Sequence, residues 1–247
     1  MLMETQDNLG TADSVDLPFR LGIVRTDEQL SAICQVRCKA YSRHLPSFGQ
    51  GLAKPESFDT LPGVLNLFIQ DKQSNRIIAT ARLQNNLFHP LAMSAAYPLP
   101  SWLLRAPSAE ITRFAVLPEF SDAERLISKV LVKACYHYCF ATQIGWIVIA
   151  SRRSLVKWYL AMGYRDIDAT ASFHRLSHMG NLPHRVLLFD VVAAERNWFT
   201  SQNVDYDFMH RVFHPDIELF SSISSIWTRS RQGQRPLTLT DPMLPII

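Results

Sequence analysis

The sequence predicts one mixed α/β (α+β) domain, a mostly antiparallel sheet with helices on both faces. Three observations predict it. Hydrophobic residues make up 47% and charged residues 19% of the 247, enough for a sizeable core. Segments of strand character alternate along the chain with segments of helical period. Two strands are joined by a short polar turn and so are antiparallel neighbours, and a sheet covered on both faces buries such a mixed order best.

Met1 to Asp16 is polar and acidic, unlike a secretory signal or a transit peptide, and reads as a disordered leader ending near residue 18. Leu21 to Arg25 reads as a short strand. Thr26 or Asp27 caps a helix to about Arg43, with Leu30, Ile33, Cys34, Val36 and Tyr41 on its apolar side. Leu45 to Gly63 is a proline- and glycine-containing loop with room for a helical turn, long enough to suspect function. Val64 to Gln70 and Arg76 to Leu83 are strands joined by the turn Asp71 to Asn75. Asn85 to Pro107 is irregular, with four prolines.

Glu110 to Val116 is a strand ended by Pro118, and Ser121 or Asp122 caps a long helix to about Thr142. Gly145 to Ser151 is a continuous apolar run, the mark of a buried strand. A helix from Arg152 to Met162 stops at Gly163, Arg185 to Val192 is one more strand, and the remainder reads as helical to about Phe220. The domain therefore spans 19–225, between a leader (1–18) and a surface tail (226–247).

Setting aside Glu4, Asp7, Asp13 and Asp16 of the leader leaves 25 bases against 18 acids. That mild basicity suits an acidic partner or substrate. It falls short of a nucleic-acid binder, and no apolar run approaches the roughly 20 residues of a membrane span. Cys34 with Cys38 and Cys135 with Cys139 sit four apart on helices, a spacing that keeps their side chains parallel. They read as packed, reduced thiols of a cytoplasmic protein rather than disulfides or zinc ligands.

Chemistry concentrates in Ala109 to Val116, Ala-Glu-Ile-Thr-Arg-Phe-Ala-Val. A strand that sets Glu110 and Arg113 among apolar residues must pair, solvate or use them, because an unpaired buried charge is costly. Spacing alone allows a structural ion pair at a sheet edge. Glu110 and Thr112 share one face, and Arg113 points to the other unless a bulge rotates it.

Together with its surroundings this segment resembles the acyl-homoserine-lactone (autoinducer) synthases and the N-acyl amino acid synthases, both variants of the GCN5-related N-acetyltransferase (GNAT) fold. The Glu-x-x-Arg-Phe-x-Val signature stands as Glu110, Arg113, Phe114 and Val116. The early-helix Arg and aromatic are Arg37 and Tyr41. Two loop acids three apart are Glu56 and Asp59, and the hairpin Arg-Leu is Arg82-Leu83. Trp158-Tyr159 with Met162-Gly163-Tyr164 resembles the superfamily's helix-to-strand element. These matches fall in order over residues 37–164.

The resemblance implies an N-acyltransferase carrying a fatty acyl group, preferably a long one, from acyl carrier protein to an amino acid. The donor would be the acyl-phosphopantetheine of that acidic carrier, with no permanently bound cofactor and no metal. Glu110 would be the general base, directly or through a water, and Arg113 would hold it or stabilise negative charge. Arg37, Tyr41, Asp59 and Arg82 would order the early helix and loop over the acceptor, with Arg37 or Arg82 meeting its carboxylate. Equally, Arg82 and Asp59 would simply pair or cap the loop.

Acetyl-CoA users place a glycine-rich loop after the central strand. Here Leu117 to Glu124 has three acids and no glycine, which disfavours a pyrophosphate. Arg125, Lys129 and Lys133 form a stripe on the long helix, and Arg152, Arg153 and Lys157 open the next. These bases suggest carrier docking across Arg125, Lys129, Arg152, Arg153 and Lys157, or a solvated face. His178 and His184 read as turn histidines at the surface before an acceptor or proton site, and Trp102, Trp146 and Trp158 as core. The alternatives are an autoinducer synthase, disfavoured by Glu56 in place of an Asp; an acetyl-CoA enzyme; and a non-catalytic sensor of carrier protein or lipid.

Overall fold

The computed structural model describes residues 14–120 and 125–220. β1 (Phe19–Ile23) leads into α1 (Asp27–Ser42), where Thr26 Oγ1 accepts the Gln29 N–H at 3.2 Å and Asp27 and Glu28 face the positive helix end. The expected loop folds into a short helix, α2 (Pro46–Gly51), and a 3-10 turn, Ser57–Thr60. β2 (Val64–Asp71) and β3 (Ile77–Asn85) form the predicted hairpin. The irregular segment holds α3 (Ser101–Arg105) before β4 (Ser108–Val116). α4 (Leu126–Ala141), β5 (Trp146–Ser151) and α5 (Arg153–Ala161) follow, then β6 (Arg165–Asp166), β7 (His174–Arg175) and β8 (Pro183–Asp190). α6 (Ala194–Thr200), a π turn (Asp207–Arg211) and β9 (Ile217–Glu218) complete the described chain.

The strands order as β6-β8-β5-β4-β3-β2-β1-β9, with β7 on β8. Pairing is antiparallel except for β4 with β5 and β1 with β9. Alternating side chains divide the apolar core between the two faces. Ile147, Ile149, Leu187 and Phe189 pack in a cluster with Val130, Leu131 and Ala134 of α4. Val148, Val186 and Leu188, one residue out of phase, pack against Leu91, Met93, Leu99 and Leu103 of the segment before β4. Just past the end of α5, Gly163 has φ 94°, which a side chain would strain, and the Trp198 ring lies 3.3 Å from where a Cβ would stand.

Several expectations are corrected. The leader is ordered from residue 14: the Val15 N–H donates to the Phe213 carbonyl, and buried Leu17 donates to Asp216 at 2.8 Å. These partners lie about two hundred positions away, beyond any local signal. The stretch after β8 is not one helix, and β9 pairs in parallel with β1. Lys133 does not join a solvent-facing stripe. It is 3% exposed, and its Nζ donates to the carbonyls of Phe208 and Val212, both at 2.6 Å, satisfying the π turn. Trp102 is 43% exposed rather than core, because Leu103 takes the inward position on the short α3. All four cysteines are free thiols, three of them buried. The expected helix caps Ser121 and Asp122 and the tail 226–247 lie outside the described residues. No described helix is long and apolar enough to cross a membrane.

Candidate active site

β4 and β5 pair only from Ser108 opposite Trp146 to Ile111 opposite Ile149. Beyond that point β4 stays with β3 and β5 stays with β8 out to Ser151, so the two parallel strands part. A cavity of about 450 Å³ occupies the gap, lined by Thr112 to Val116 on one strand and Ile149 and Ala150 on the other. With β5 gone from that edge, the β4 backbone there is available to an extended ligand arm.

Between Thr80–Ala115 and Arg82–Thr112, β3 advances two residues while β4 advances three. The extra residue is a β-bulge, and Arg113 sits in it at φ 50°, a left-handed conformation that a β-branched residue could not adopt cheaply. The bulge turns Arg113 to the face of Thr112 and Arg82, which a regular strand would not. There it grips Glu56 with two hydrogen bonds, Nε at 2.5 Å and Nη2 at 2.6 Å. Its remaining nitrogen donates to the His178 carbonyl at 3.0 Å.

Glu56 is the hub. It also accepts from Arg82 at 3.1 Å, and Arg82 reaches Asp59 at 3.2 Å and Thr112 Oγ1 at 3.0 Å. Arg37 holds both Asp59 oxygens, at 2.8 and 2.9 Å, and Asn66 at 2.8 Å. Asp59 closes the 3-10 turn by accepting the Glu56 N–H. Arg37, Arg82, Arg113 and Asp59 are all buried, so three guanidinium groups face two carboxylates in low dielectric, tolerable only because each is hydrogen-bonded. Burial pushes the Glu56 carboxyl up, but the Arg113 bonds and charge, then Arg82, more than offset it and leave it below its ordinary range.

The network thus unites Arg37, Asp59, Arg82 and Arg113 and ties the early helix and loop to β3 and β4. Arg82 and Asp59 pair, and Asp59 caps the turn, so both plain readings of these residues hold. Arg37 and Arg82 are each 1% exposed and are not among the cavity-lining residues, and Arg37 Nε has no hydrogen-bond partner. Tyr41 does line the cavity, its hydroxyl 3.4 Å from the Phe114 carbonyl.

Glu110 stands apart from this network. It is completely buried and is not among the cavity-lining residues. Oε2 accepts the Met93 N–H at 2.8 Å, and Oε1 lies 3.1 Å from His178 Nε2. His178 is therefore no surface turn residue: its side chain is 15% exposed. His184, 3% exposed, is also inward, lines the cavity and donates Nδ1–H to the Leu182 carbonyl at 2.8 Å. Burial, then the positive surroundings of Arg152, keep it below the ordinary imidazole range. The partnership of Glu110 with a residue 68 positions away carries no local sequence signal.

Of the basic residues, Arg125 and Arg152 line the cavity, and Arg125 also lies over the Trp158 ring at 5.7 Å. Arg153 stacks on Phe173 at 4.2 Å, and Lys157 is exposed. Lys129 is spent on Asp205 at 2.7 Å. Among the described residues no group of His, Cys, Asp and Glu is arranged to hold a metal.

No curated protein sequence matches the chain. The solved structure of FeeM, an N-acyl amino acid synthase from uncultured soil microbes, is similar at 21% identity and a TM-score of 0.60, over 77% of this chain and 98% of that one. That of BjaI, a CoA-dependent acyl-homoserine lactone synthase, is similar at 13% identity and a TM-score of 0.57, over 85% of this chain and 99% of that one. These likenesses show that the chain has the fold those two enzymes share, as expected from the motifs. The profile of the N-acyl amino acid synthase FeeM family matches residues 32–183, a span that holds the arginine network, Glu110 and His178. The chain belongs to the N-acyl amino acid synthase FeeM family and is an acyltransferase.

Proposed function

We propose that the enzyme transfers a long-chain fatty acyl group from acyl carrier protein to the amine of an amino acid, in one direct step. The observation that carries this reading is the cavity between the parted ends of β4 and β5. The phosphopantetheine arm enters there and hydrogen-bonds the edge of β4. The thioester then lies against the bulge at Arg113, whose neighbouring backbone N–H groups stabilise the oxyanion. Glu110, one pair below the point of parting, supplies the carboxylate that drives removal of the acceptor's proton, directly or through a neighbouring group. The cations lining the cavity mouth, Arg125 and Arg152, with Arg153 and Lys157 beside them on α5, attract an acidic carrier. The acceptor's carboxylate meets a cavity cation such as Arg43 or Arg152 rather than Arg37 or Arg82.

A CoA donor is the second reading, favoured by the likeness to the CoA-dependent BjaI. Purified protein offered palmitoyl-acyl carrier protein or palmitoyl-CoA with a mixture of the twenty amino acids, followed by mass spectrometry, decides between them. The expected result is an N-palmitoyl amino acid and free carrier thiol, both lost in Arg113→Ala. Product from palmitoyl-CoA alone would replace the donor, and a homoserine lactone formed only with S-adenosylmethionine would replace the acceptor.

A further inference from the structure

We propose that His178 is the group that takes the acceptor's proton, with Glu110 as its positioning residue; this rests on the acyl-transfer reading above. One hydrogen bond fixes the imidazole, and another pins the backbone that carries it. A carboxylate only accepts, so at 3.1 Å from Glu110 Oε1 the Nε2 atom carries the hydrogen. The Nδ1 atom then holds the lone pair, and it is buried without any hydrogen-bond partner. The backbone of the same residue is pinned by Arg113, which is itself gripped by Glu56.

Glu110 cannot fill this role alone. It has no exposed surface, and both its oxygens are engaged, one by Met93 N–H and one by His178. Of the two side chains only the imidazole has exposed surface, 15%, and it stands next to Met179 of the cavity wall. A basic nitrogen left unpaired inside a protein is costly unless a ligand meets it. A carboxylate that fixes the tautomer and stabilises the imidazolium is the logic of a carboxylate–histidine base.

In the reaction the amine nitrogen attacks the thioester carbon, and the carbonyl electron pair moves to oxygen. The amine's proton passes to His178 Nδ1, giving an imidazolium held by Glu110. The carbonyl reforms, the carbon–sulfur pair leaves with sulfur, and the proton passes from His178 to the thiolate. The products are an amide and a free thiol. Arg113 acts here as a positioning residue through the His178 carbonyl, so one histidine links the signature Glu and Arg, by its ring and its backbone.

The test follows thiol release from palmitoyl-acyl carrier protein and palmitoyl-CoA with the twenty amino acids, for the wild type, His178→Gln, His178→Ala and Glu110→Gln. Gln at 178 keeps a donor for Glu110 but has no titrating base. It is expected to lower kcat by roughly 10²–10⁴-fold, with KM within about threefold and thermal midpoint unchanged. The acid limb of the wild-type pH profile, set in a surrounding of Glu110, Arg113, Glu56 and His184, disappears in that variant. Added imidazole restores part of the rate to His178→Ala, which a purely structural loss would not allow. Near-normal kcat in His178→Gln, or an acid limb that persists in it, overturns the proposal while leaving acyl transfer standing. No thiol release by the wild type from either donor overturns both. Independently of turnover, a nitrogen NMR spectrum of the full chain is expected to show His178 as the Nε2–H tautomer, and an Nδ1–H tautomer overturns the assignment.

Discussion

Arg113 shows how much one residue can organise. Its left-handed backbone would be strained alone, yet the two bonds to Glu56 and the one to the His178 carbonyl hold it there. The same network sets a prediction at Asp59, which has no exposed side-chain surface and serves Arg37 and Arg82 together. Asp59→Asn leaves both guanidinium groups under-compensated in the interior. It should cost about 3–5 kcal/mol, the range for breaking a buried pair from one side, read from the urea midpoint. A loss within experimental error would mean that water or Glu56 replaces the charge. The types and spacing of Arg37, Glu56, Asp59, Arg82, Glu110 and Arg113 were legible in the sequence. That Glu56 rather than Asp59 is the partner of Arg113 was not, because both acids lie in one loop and its fold decides which faces the bulge.

At the scale of elements, α4 and α5 divide the expected basic surface into unequal parts. Lys133 is turned inward to cap carbonyls, and Lys129 is paired with Asp205, so α4 offers the carrier little beyond Arg125. On the proposed acyl carrier protein donor, docking is expected on α5. Arg153→Glu with Lys157→Glu should weaken carrier protein binding at least tenfold at low salt, and the difference should shrink as ionic strength rises. Calorimetry at two salt concentrations checks it; an affinity untouched by the reversal would move the carrier to another face. Helix periodicity placed Lys129 and Lys133 on α4 and Arg153 and Lys157 on α5, whereas Arg125 and Arg152 stand at the N-caps just outside these helices. It could not say which of them the C-terminal stretch would occupy, since Asp205 and the π turn reach α4 through tertiary packing alone.

The whole molecule should lose stability in acid by two routes. His137 of α4 donates to the Met209 carbonyl at 3.0 Å, and burial, with Lys133 beside it, pulls its pKa down to about 4. The unfolded chain binds a proton near the ordinary imidazole value of 6.5, which the folded protein refuses until near 4. Stability is therefore full above about 6.5 and falls as the pH drops towards 4, by on the order of 3 kcal/mol. His137→Gln, which keeps a donor for Met209, should flatten that slope in urea titrations from pH 7 to 4. A wild-type midpoint that stays level across this window would contradict a buried neutral His137. Glu56 acts further down: held below its ordinary 4.5, it contributes stability above that pH and withdraws it as the pH falls through its folded value.

The amino-acid sequence by itself determined the element order, the antiparallel hairpin, the family motifs and the identity of Glu110 and Arg113, because periodicity, turn chemistry and residue type are local properties. Tertiary structure alone decided which way Arg113 points, since the bulge is a mismatch between two strands. It also brought His178 to Glu110, turned Lys133 inward, and ordered residue 17 against residue 216. Each of these is a pairing between distant segments, whose entropy cost is met only when the sheet has closed.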